Sequence, residues 1–252
     1  MNLFLIFFIG ALLGSFFYTL AVRFTDGSFT KKKVEALFGF SKCPCCNHRI
    51  KAVYLLPVIG FLIARGKCSE CGRKISFVYP LAEILFGLLA IIINKYFGLN
   101  IYSVIIFLII CVSVTASIID IKSLVLPDHL IIAFLILSIY PILYNNSVKD
   151  SLYGLLLMGG FFIIVLLIFP GSFGGGDVKF AASIGMLLGF ELSIVALETA
   201  LVTGSIAGIV YVIITKRGLK IKFPFGPFLT AGLIVALLFG REILYIYYRI
   251  VF

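Results

Sequence analysis

Long apolar segments separated by short polar ones run along almost the whole chain. The first, from Leu3 to Val22, has 20 uncharged residues, which is long enough to cross a bilayer as a helix. Seven further segments follow, at residues 80–94, 99–119, 130–144, 152–170, 180–190, 192–215 and 225–248. This pattern predicts an all-α polytopic membrane protein with about eight transmembrane helices.

One region between the predicted helices is both long and polar. It covers residues 24–79 and is interrupted by an apolar run of 12 residues, Val53 to Ala64, which contains Pro57 and Gly60. This run is too short to span, so we expect it to lie in the membrane interface or to pack under the bundle. In the first predicted helix, Gly10 and Gly14 have the spacing of a small-residue packing face.

Composition and charge then orient the segments. The chain has 252 residues, 62% hydrophobic and 13% charged, with a mean hydropathy of +1.19, which is typical of a membrane protein. Eleven of the 21 Lys and Arg lie between Arg23 and Lys74, and such a cluster beside a first span marks the cytoplasmic side. Only four basic residues then fall on the outer side, namely Lys95, Lys149, Arg241 and Arg249.

Three parts follow from this topology. They are a first transmembrane helix at residues 1–23, a cytoplasmic Cys-rich loop insert at 24–79 and a transmembrane core at 80–252. Membrane lipid is the expected contact of the apolar segments. No nucleic acid is expected, because no aromatic stacking pattern accompanies the basic residues.

Four of the six cysteines form two CxxC pairs within the cytoplasmic loop, namely Cys43, Cys46, Cys68 and Cys71. Two such pairs can supply four thiolates to one tetrahedral Zn²⁺, which is the arrangement of a closed structural site. Two disulfides are the alternative, but a reducing cytoplasm disfavours them. Cys45 could replace a neighbouring ligand and His48 is a reserve ligand, although the spacing favours the paired cysteines.

Two acids stand at the edges of apolar runs. Asp120 ends one run, and Asp177 follows Gly174-Gly-Gly between two others. A carboxylate in such a place is costly and therefore indicates a function. The topology puts both acids at cytoplasmic helix ends, where two close carboxylates could share a proton and act as base and acid on one water. Asp120 and Asp177 are the candidate catalytic pair.

Each acid also has a structural interpretation. Asp177 could be the N-cap of a helix, and Asp120 could form a simple ion pair with Lys122. Glu83 and Glu198 lie inside predicted helices, either protonated and hydrogen-bonded or lining a polar cavity. The four acids could instead belong to an ion-coupled transporter, but transporter sites lie near the midplane between repeats, and no repeat is visible. A zinc-binding membrane scaffold without catalysis is a further alternative.

Several motifs together resemble the type IV prepilin peptidases. Gly174-Gly-Gly-Asp177 matches a GxGD motif, and the segment from Asp120 to Asp128 looks like the other aspartate motif of that family. Further resemblances, in chain order, are Gly14-Ser-Phe16, the four paired cysteines, Arg65-Gly-Lys-Cys68, Tyr79-Pro-Leu-Ala-Glu83 and Pro224-Phe-Gly-Pro227. The resemblance covers nearly the whole chain.

The resemblance implies an eight-span GxGD aspartic protease of the inner membrane, with Asp120 and Asp177 as the catalytic aspartates. Such enzymes cleave the basic leader from prepilins and pseudopilins on the cytoplasmic side, after a glycine. Bifunctional members then N-methylate the new N-terminal residue, using S-adenosylmethionine. Residues 80–252 would form the peptidase core, and residues 24–79 the methyltransferase-associated loop.

Three departures from the family pattern lie in or beside the part associated with methylation. Tyr18 stands where Asn is usual, the segment from Val53 to Leu56 lacks the usual polar residue, and Gly60 replaces a common Ser. A peptidase without methyltransferase activity is therefore the alternative. The cysteine loop favours the bifunctional type, because members that lack it are mostly peptidases alone.

Overall fold

A computed structural model describes residues 2–25, 39–145, 147–215 and 223–251 of the chain. The described part is mostly helical, with a short 3₁₀ turn at Ala52–Leu55. The α-helices are α1 (Leu3–Thr25), α2 (Ile59–Ile63), α3 (Val78–Phe97), α4 (Ile101–Ser123), α5 (Asp128–Asn145), α6 (Val148–Ile168), α7 (Gly175–Thr215) and α8 (Gly226–Val251).

The long helices correspond to the predicted spans. Within the described residues, α1, α3, α4, α6, α7 and α8 are long and apolar enough to cross a membrane, and α5 is apolar but shorter. Helix α7 has 41 residues and changes direction at Gly189, so it joins the last two predicted spans before α8. The prediction of an all-α polytopic membrane protein is confirmed.

The break in α7 has a specific cause. Gly189 has a φ of 76° and a ψ of −176°, a conformation that side chains strongly disfavour. The N–H of the next residue, Phe190, donates a hydrogen bond of 3.1 Å to Oδ1 of Asp150, near the start of α6. A Cβ at position 189 would collide with the same carboxylate. Sequence reasoning put the break at Glu191, two residues late, because the apolar run continues through Phe190.

The chain folds into two compact units, residues 1–103 and 104–252. In the first unit α1 packs along α3, and the predicted small-residue face makes the contact. A Cβ at Gly10 would lie 2.5 Å from Cβ of Ala90, and one at Gly14 would lie 2.5 Å from Cβ of Phe86. The two helices therefore approach more closely than larger residues would allow.

The apolar segment from Val53 to Ala64 forms the 3₁₀ turn and α2, which are separated by Pro57. Neither piece is long enough to cross a bilayer, as the sequence predicted.

In the second unit α7 is the central helix. Helices α6 and α8 pack extensively against it, and α5 packs against it to a smaller extent. Phe134, Phe162 and Phe180 are fully buried in this core. The division into a first helix, a Cys-rich loop and a core concerns membrane location and role, which helix packing does not test, and it stays a prediction.

Candidate functional site

Asp120 lies in the last turn of α4, where it is almost completely buried, with 4% of its surface exposed. Its Oδ2 accepts a hydrogen bond of 2.8 Å from the N–H of Gly226. Gly226 is the first residue of α8, so the carboxylate lies at the positive end of that helix. In the described part of the chain this backbone group, and not Lys122, holds Asp120.

The contact with α8 offsets an unfavourable interaction of Asp120 with its own helix. An acid at the C-terminal end of its own helix opposes the helix dipole. Here the N-terminus of a second helix offsets that repulsion. The approach is so close that a Cβ at Gly226 would lie 2.9 Å from Oδ2 of Asp120.

Asp177 is the third residue of α7, and Gly174 occupies the capping position before the helix. Oδ2 of Asp177 accepts a 2.8 Å hydrogen bond from the N–H of Gly174. This is the backward half of a capping box, so the simple N-cap interpretation is wrong in its detail. Oδ1 of Asp177 is buried and has no hydrogen-bond partner among the described residues. One carboxylate oxygen is thus fixed, and the other has no partner within the described chain.

The structure brings the two acids together. Asp120 lies in the last turn of α4 and Asp177 in the first turn of α7, and the segments that follow and precede them meet. The loop after Asp120 also lies against the glycines before Asp177, because a Cβ at Gly176 would be 2.9 Å from Cβ of Leu126. The packing of these two segments puts both acids in one region of the second unit.

Three phenylalanine rings join the segments that hold the acids. Phe173 immediately precedes the glycines, and Phe225 immediately precedes Gly226. Their ring centroids are 4.9 Å apart, and both contact Phe162 of α6, at 4.8 and 5.6 Å. The backbone groups that bind Asp120 and Asp177 are therefore tied to a common aromatic cluster.

A buried polar seam between α4 and α8 lies one turn before Asp120. The Oγ of Ser117 and the Oγ1 of Thr230 are 2.7 Å apart. The Ser117 hydroxyl also lies 3.2 Å from the carbonyl oxygen of Gly226, and the Thr230 hydroxyl donates to the carbonyl of Ser113 at 3.2 Å. Sequence reasoning missed this seam. Its signal is that Ser113, Ser117 and Asp120 lie at four- and three-residue intervals, on one face of α4.

The other acids take different positions. Asp128, the first residue of α5, pairs with Lys179 of α7 at 2.8 Å, and both side chains are exposed. Glu198 has an exposed side chain on α7. Glu83 is buried in the first unit, on α3. Neither Asp128 nor Glu198 is hydrogen-bonded to Asp120 or Asp177 in the described part.

The four paired cysteines come together in the first unit. Their sulfur atoms all lie within 4.8 Å of one another. The Sγ atoms of Cys43 and Cys71 are 3.8 Å apart, and those of Cys46 and Cys68 are 4.0 Å apart. A tetrahedral site with metal–sulfur bonds of about 2.3 Å places its sulfur atoms about 3.8 Å apart. The cluster can hold a metal ion.

The two cysteine pairs are built alike. The N–H of Cys43 donates to the carbonyl of His48, and the N–H of Cys68 donates in the same way to Arg73. In both pairs the residue after the second cysteine has a positive φ, 55° at Asn47 and 69° at Gly72. These are two equivalent knuckles, which form a short local repeat within the loop.

The electrostatics of the cluster suit a cation. Backbone N–H groups of Cys46 and Cys45 lower the pKa of the Cys43 thiol to about 6. At Cys71, desolvation and the neighbouring thiols outweigh the backbone hydrogen bond of Arg73 and raise the pKa to about 12. Ionisation of one thiol thus disfavours ionisation of the next. A bound metal ion would reverse this effect.

The nearby reserve ligands lie outside the cluster. The sulfurs that come together are those of the two CxxC pairs, and Cys45 is exposed. Nε2 of His48 lies 3.6 Å from Oε1 of Glu70.

Comparison with known proteins gives the family. Residues 8–97 match the family model described as "Bacterial Peptidase A24 N-terminal domain", and residues 105–213 match the "Type IV leader peptidase family". A prepilin leader peptidase/N-methyltransferase of Bacillus subtilis is 30% identical over 97% of this chain and 97% of its own. The chain belongs to the type IV leader peptidase family.

Other relatives agree with that assignment. Proteins of the same description from Stutzerimonas stutzeri and Legionella pneumophila are 32% and 28% identical. The matches cover 81% and 85% of this chain, and 73% and 77% of the relatives. No solved structure matches the chain significantly.

The two matched segments of this type IV leader peptidase family member follow its compact units. The N-terminal match lies within residues 1–103, and the second match lies within residues 104–252 and contains both Asp120 and Asp177. The apolar helices and the family together identify a multi-pass protein of the inner (plasma) membrane.

Proposed function

We propose that this protein cleaves the basic leader peptide from type IV prepilins and pseudopilins, with Asp120 and Asp177 as the catalytic pair. The observation that carries the proposal is that each aspartate accepts a backbone hydrogen bond at a helix N-terminus, and that the loop after Asp120 packs against the glycines before Asp177. The names of the relatives supply the substrate class. The substrate itself is a basic leader followed by an apolar helix.

The hydrogen bonds suggest how the pair works. Oδ2 of each aspartate already accepts a backbone N–H, so a shared proton is carried by the Oδ1 atoms. The ionised carboxylate takes a proton from a water molecule, which attacks the peptide carbonyl carbon. The protonated carboxylate donates to the carbonyl oxygen, and a proton then passes to the leaving amine as the peptide bond breaks.

The membrane face of the reaction follows from charge. If the basic residues of 24–79 lie in the cytoplasm, the C-terminal end of α4 and the start of α7 lie on that side as well. Both acids then meet a substrate whose basic leader is cytoplasmic and whose apolar helix stays in the bilayer. Acids at helix ends also fit this reaction better than ion transport, whose sites lie near the midplane.

The cysteine cluster is proposed to hold a structural Zn²⁺, with Cys43, Cys46, Cys68 and Cys71 as its ligands. The sulfur separations fit a tetrahedral four-thiolate site, which uses every coordination position and leaves none for a substrate. When bound, the ion would neutralise thiolate charge and hold the two knuckles together.

Methylation of the new N-terminal residue is proposed as the second activity, with S-adenosylmethionine as the methyl donor. The names of the relatives and the match of the first unit to a separate N-terminal domain support it.

One experiment tests both activities. The purified protein is incubated with a prepilin-like peptide and S-adenosylmethionine, and the products are weighed by mass spectrometry. Cleavage together with a methyl mass increment on the new N-terminus is expected. Cleavage without the increment identifies a peptidase alone, and an uncleaved peptide contradicts the proposal.

A further inference from the structure

Glu83 is a buried carboxylate that the peptidase site does not use. It lies on α3 in the first unit, with 7% of its surface exposed. Its Oε2 accepts a hydrogen bond of 2.7 Å from the N–H of Val58, and the Ser15 hydroxyl of α1 also hydrogen-bonds to the carboxyl group. A buried acid is costly, so these contacts with two other segments need an explanation.

Val58 has an unusual backbone conformation. Its φ is 60° and its ψ is −50°, a region that β-branched residues almost never occupy. The residue connects Pro57 to α2, where the N–H of Gly60 donates to the carbonyl of Leu56 at 2.8 Å. A Cβ at Gly60 would collide with the carbonyl group of Tyr54, so the turn is also tightly packed.

The strained residue, Val58, is the one whose N–H binds the buried acid, Glu83. Val58 is the central residue of a γ-turn, in which the N–H of Ile59 donates to the carbonyl of Pro57 at 2.6 Å. The N–H of Val58 donates outside this turn, to Glu83 on α3. Strain of this kind persists only where the surroundings impose it, and it collects at functional sites. A glycine at position 58 would adopt this conformation without strain, but the chain has valine there.

We propose that Glu83 is a positioning residue for methyl transfer, which fixes the turn at Val58 and thereby the segment between the two cysteine pairs. The proposal rests on the methyltransferase activity proposed above. Both catalytic aspartates belong to the second unit, whereas Glu83, Ser15, Val58 and the cysteine cluster belong to the first. Glu83 acts through the backbone of the turn and does not itself exchange a proton with the substrate.

The test compares the methylated fraction of cleaved peptide among variants of the full-length protein. Glu83→Gln keeps an oxygen that can accept the Val58 N–H and should keep most of the methylation. Glu83→Ala loses that acceptor, and the methylated fraction should fall about tenfold or more while cleavage continues. Glu83→Ala combined with Val58→Gly should recover methylation, because glycine holds the turn without the acid.

Two controls separate positioning from other roles. Glu198→Gln changes an exposed acid of the second unit and should leave the methylated fraction unchanged. Glu83→Asp keeps the charge but withdraws the carboxylate from Val58, so it should lose methylation. If Glu83→Ala does not fold, Glu83→Asp serves as the test variant in its place.

Several results overturn the proposal. If Glu83→Gln lowered the methylated fraction as much as Glu83→Ala, the charge of Glu83 itself would be required. Unchanged methylation in Glu83→Ala or Glu83→Asp, or no recovery on adding Val58→Gly, would exclude positioning through the turn.

Amide hydrogen exchange distinguishes failure of this inference from failure of the proposed function. Exchange at Val58 should be slow in the unmodified protein and fast in Glu83→Ala. If the unmodified protein cleaves the peptide but never methylates it, the methyltransferase assignment is wrong, and with it the role given to Glu83. Unchanged exchange in Glu83→Ala would remove the structural basis of the inference as well.

Discussion

Oδ2 of Asp120 accepts a 2.8 Å hydrogen bond from the N–H of Gly226, the first residue of α8. The two residues are far apart in sequence, and their contact places a buried carboxylate against the positive end of a helix. It orients Asp120 so that its other oxygen is left for chemistry. The peptidase activity should therefore depend on the absence of a side chain at position 226.

Gly226→Ala should reduce peptidase activity by about 10²-fold, because a methyl group at this position would displace the Asp120 carboxylate from the α8 N-terminus. The rate of cleavage of a prepilin-like peptide measures the effect. Gly208→Ala is the matched control, since a Cβ at that position has no heavy atom within 4 Å. Equal rates for the two variants would argue against a close approach at Gly226.

The seam of hydroxyl groups should support the same contact. Thr230→Val removes the hydroxyl that bonds to Ser113 and Ser117, and it should lower the free energy of unfolding by about 1–3 kcal/mol. Peptidase activity should fall several-fold as α8 loses its register on α4. Thr230→Ser keeps the hydroxyl and should restore most of both quantities.

Thr203→Val is the control for the two Thr230 variants. Its hydroxyl bonds only within α7, to the carbonyl groups of Thr199 and Ala200. Thermal unfolding and the cleavage rate should be close to those of the unchanged protein. A loss as large as that of Thr230→Val would mean that exchanging a hydroxyl for a methyl group on a helix has the same effect away from the contact between α4 and α8.

The cysteine cluster should bind zinc. The purified protein is expected to contain one Zn²⁺ per chain by elemental analysis, and the double variant Cys68→Ser, Cys71→Ser should contain none. Two of the four sulfur ligands are lost in that variant, and hydroxyl groups replace thiolates poorly at zinc. Cys45→Ser, an exposed cysteine of the same loop, should keep the metal. Metal-free unmodified protein would refute this site.

The local features of this protein could be read from its sequence. Apolar runs predicted the long helices, because the bilayer requires about 20 apolar residues per helix. The spacing of Cys43, Cys46, Cys68 and Cys71 predicted a four-sulfur cluster, since each pair forms its knuckle from adjacent residues. Gly10 and Gly14 predicted the face of α1 that packs against α3.

The features that escaped prediction depend on distant parts of the chain. No local pattern shows that the start of α8 holds Asp120, because the two segments meet only after α4 and α8 have packed. The break at Gly189 depends in the same way on Asp150 of α6. Asp177 was expected to be an N-cap or a catalyst. Its carboxylate makes a capping contact at Oδ2, while Oδ1 has no hydrogen-bond partner among the residues that the structure describes.

Separate replacement of the two aspartates tests the central claim most directly. Asp120→Asn and Asp177→Asn keep the size of each side chain and an oxygen that can accept the backbone N–H, but they remove the shared proton. Each variant should fold, by thermal unfolding and zinc content, and should show no cleavage of a prepilin-like peptide above background. Full cleavage by either folded variant would contradict the assignment of Asp120 and Asp177 as the catalytic pair.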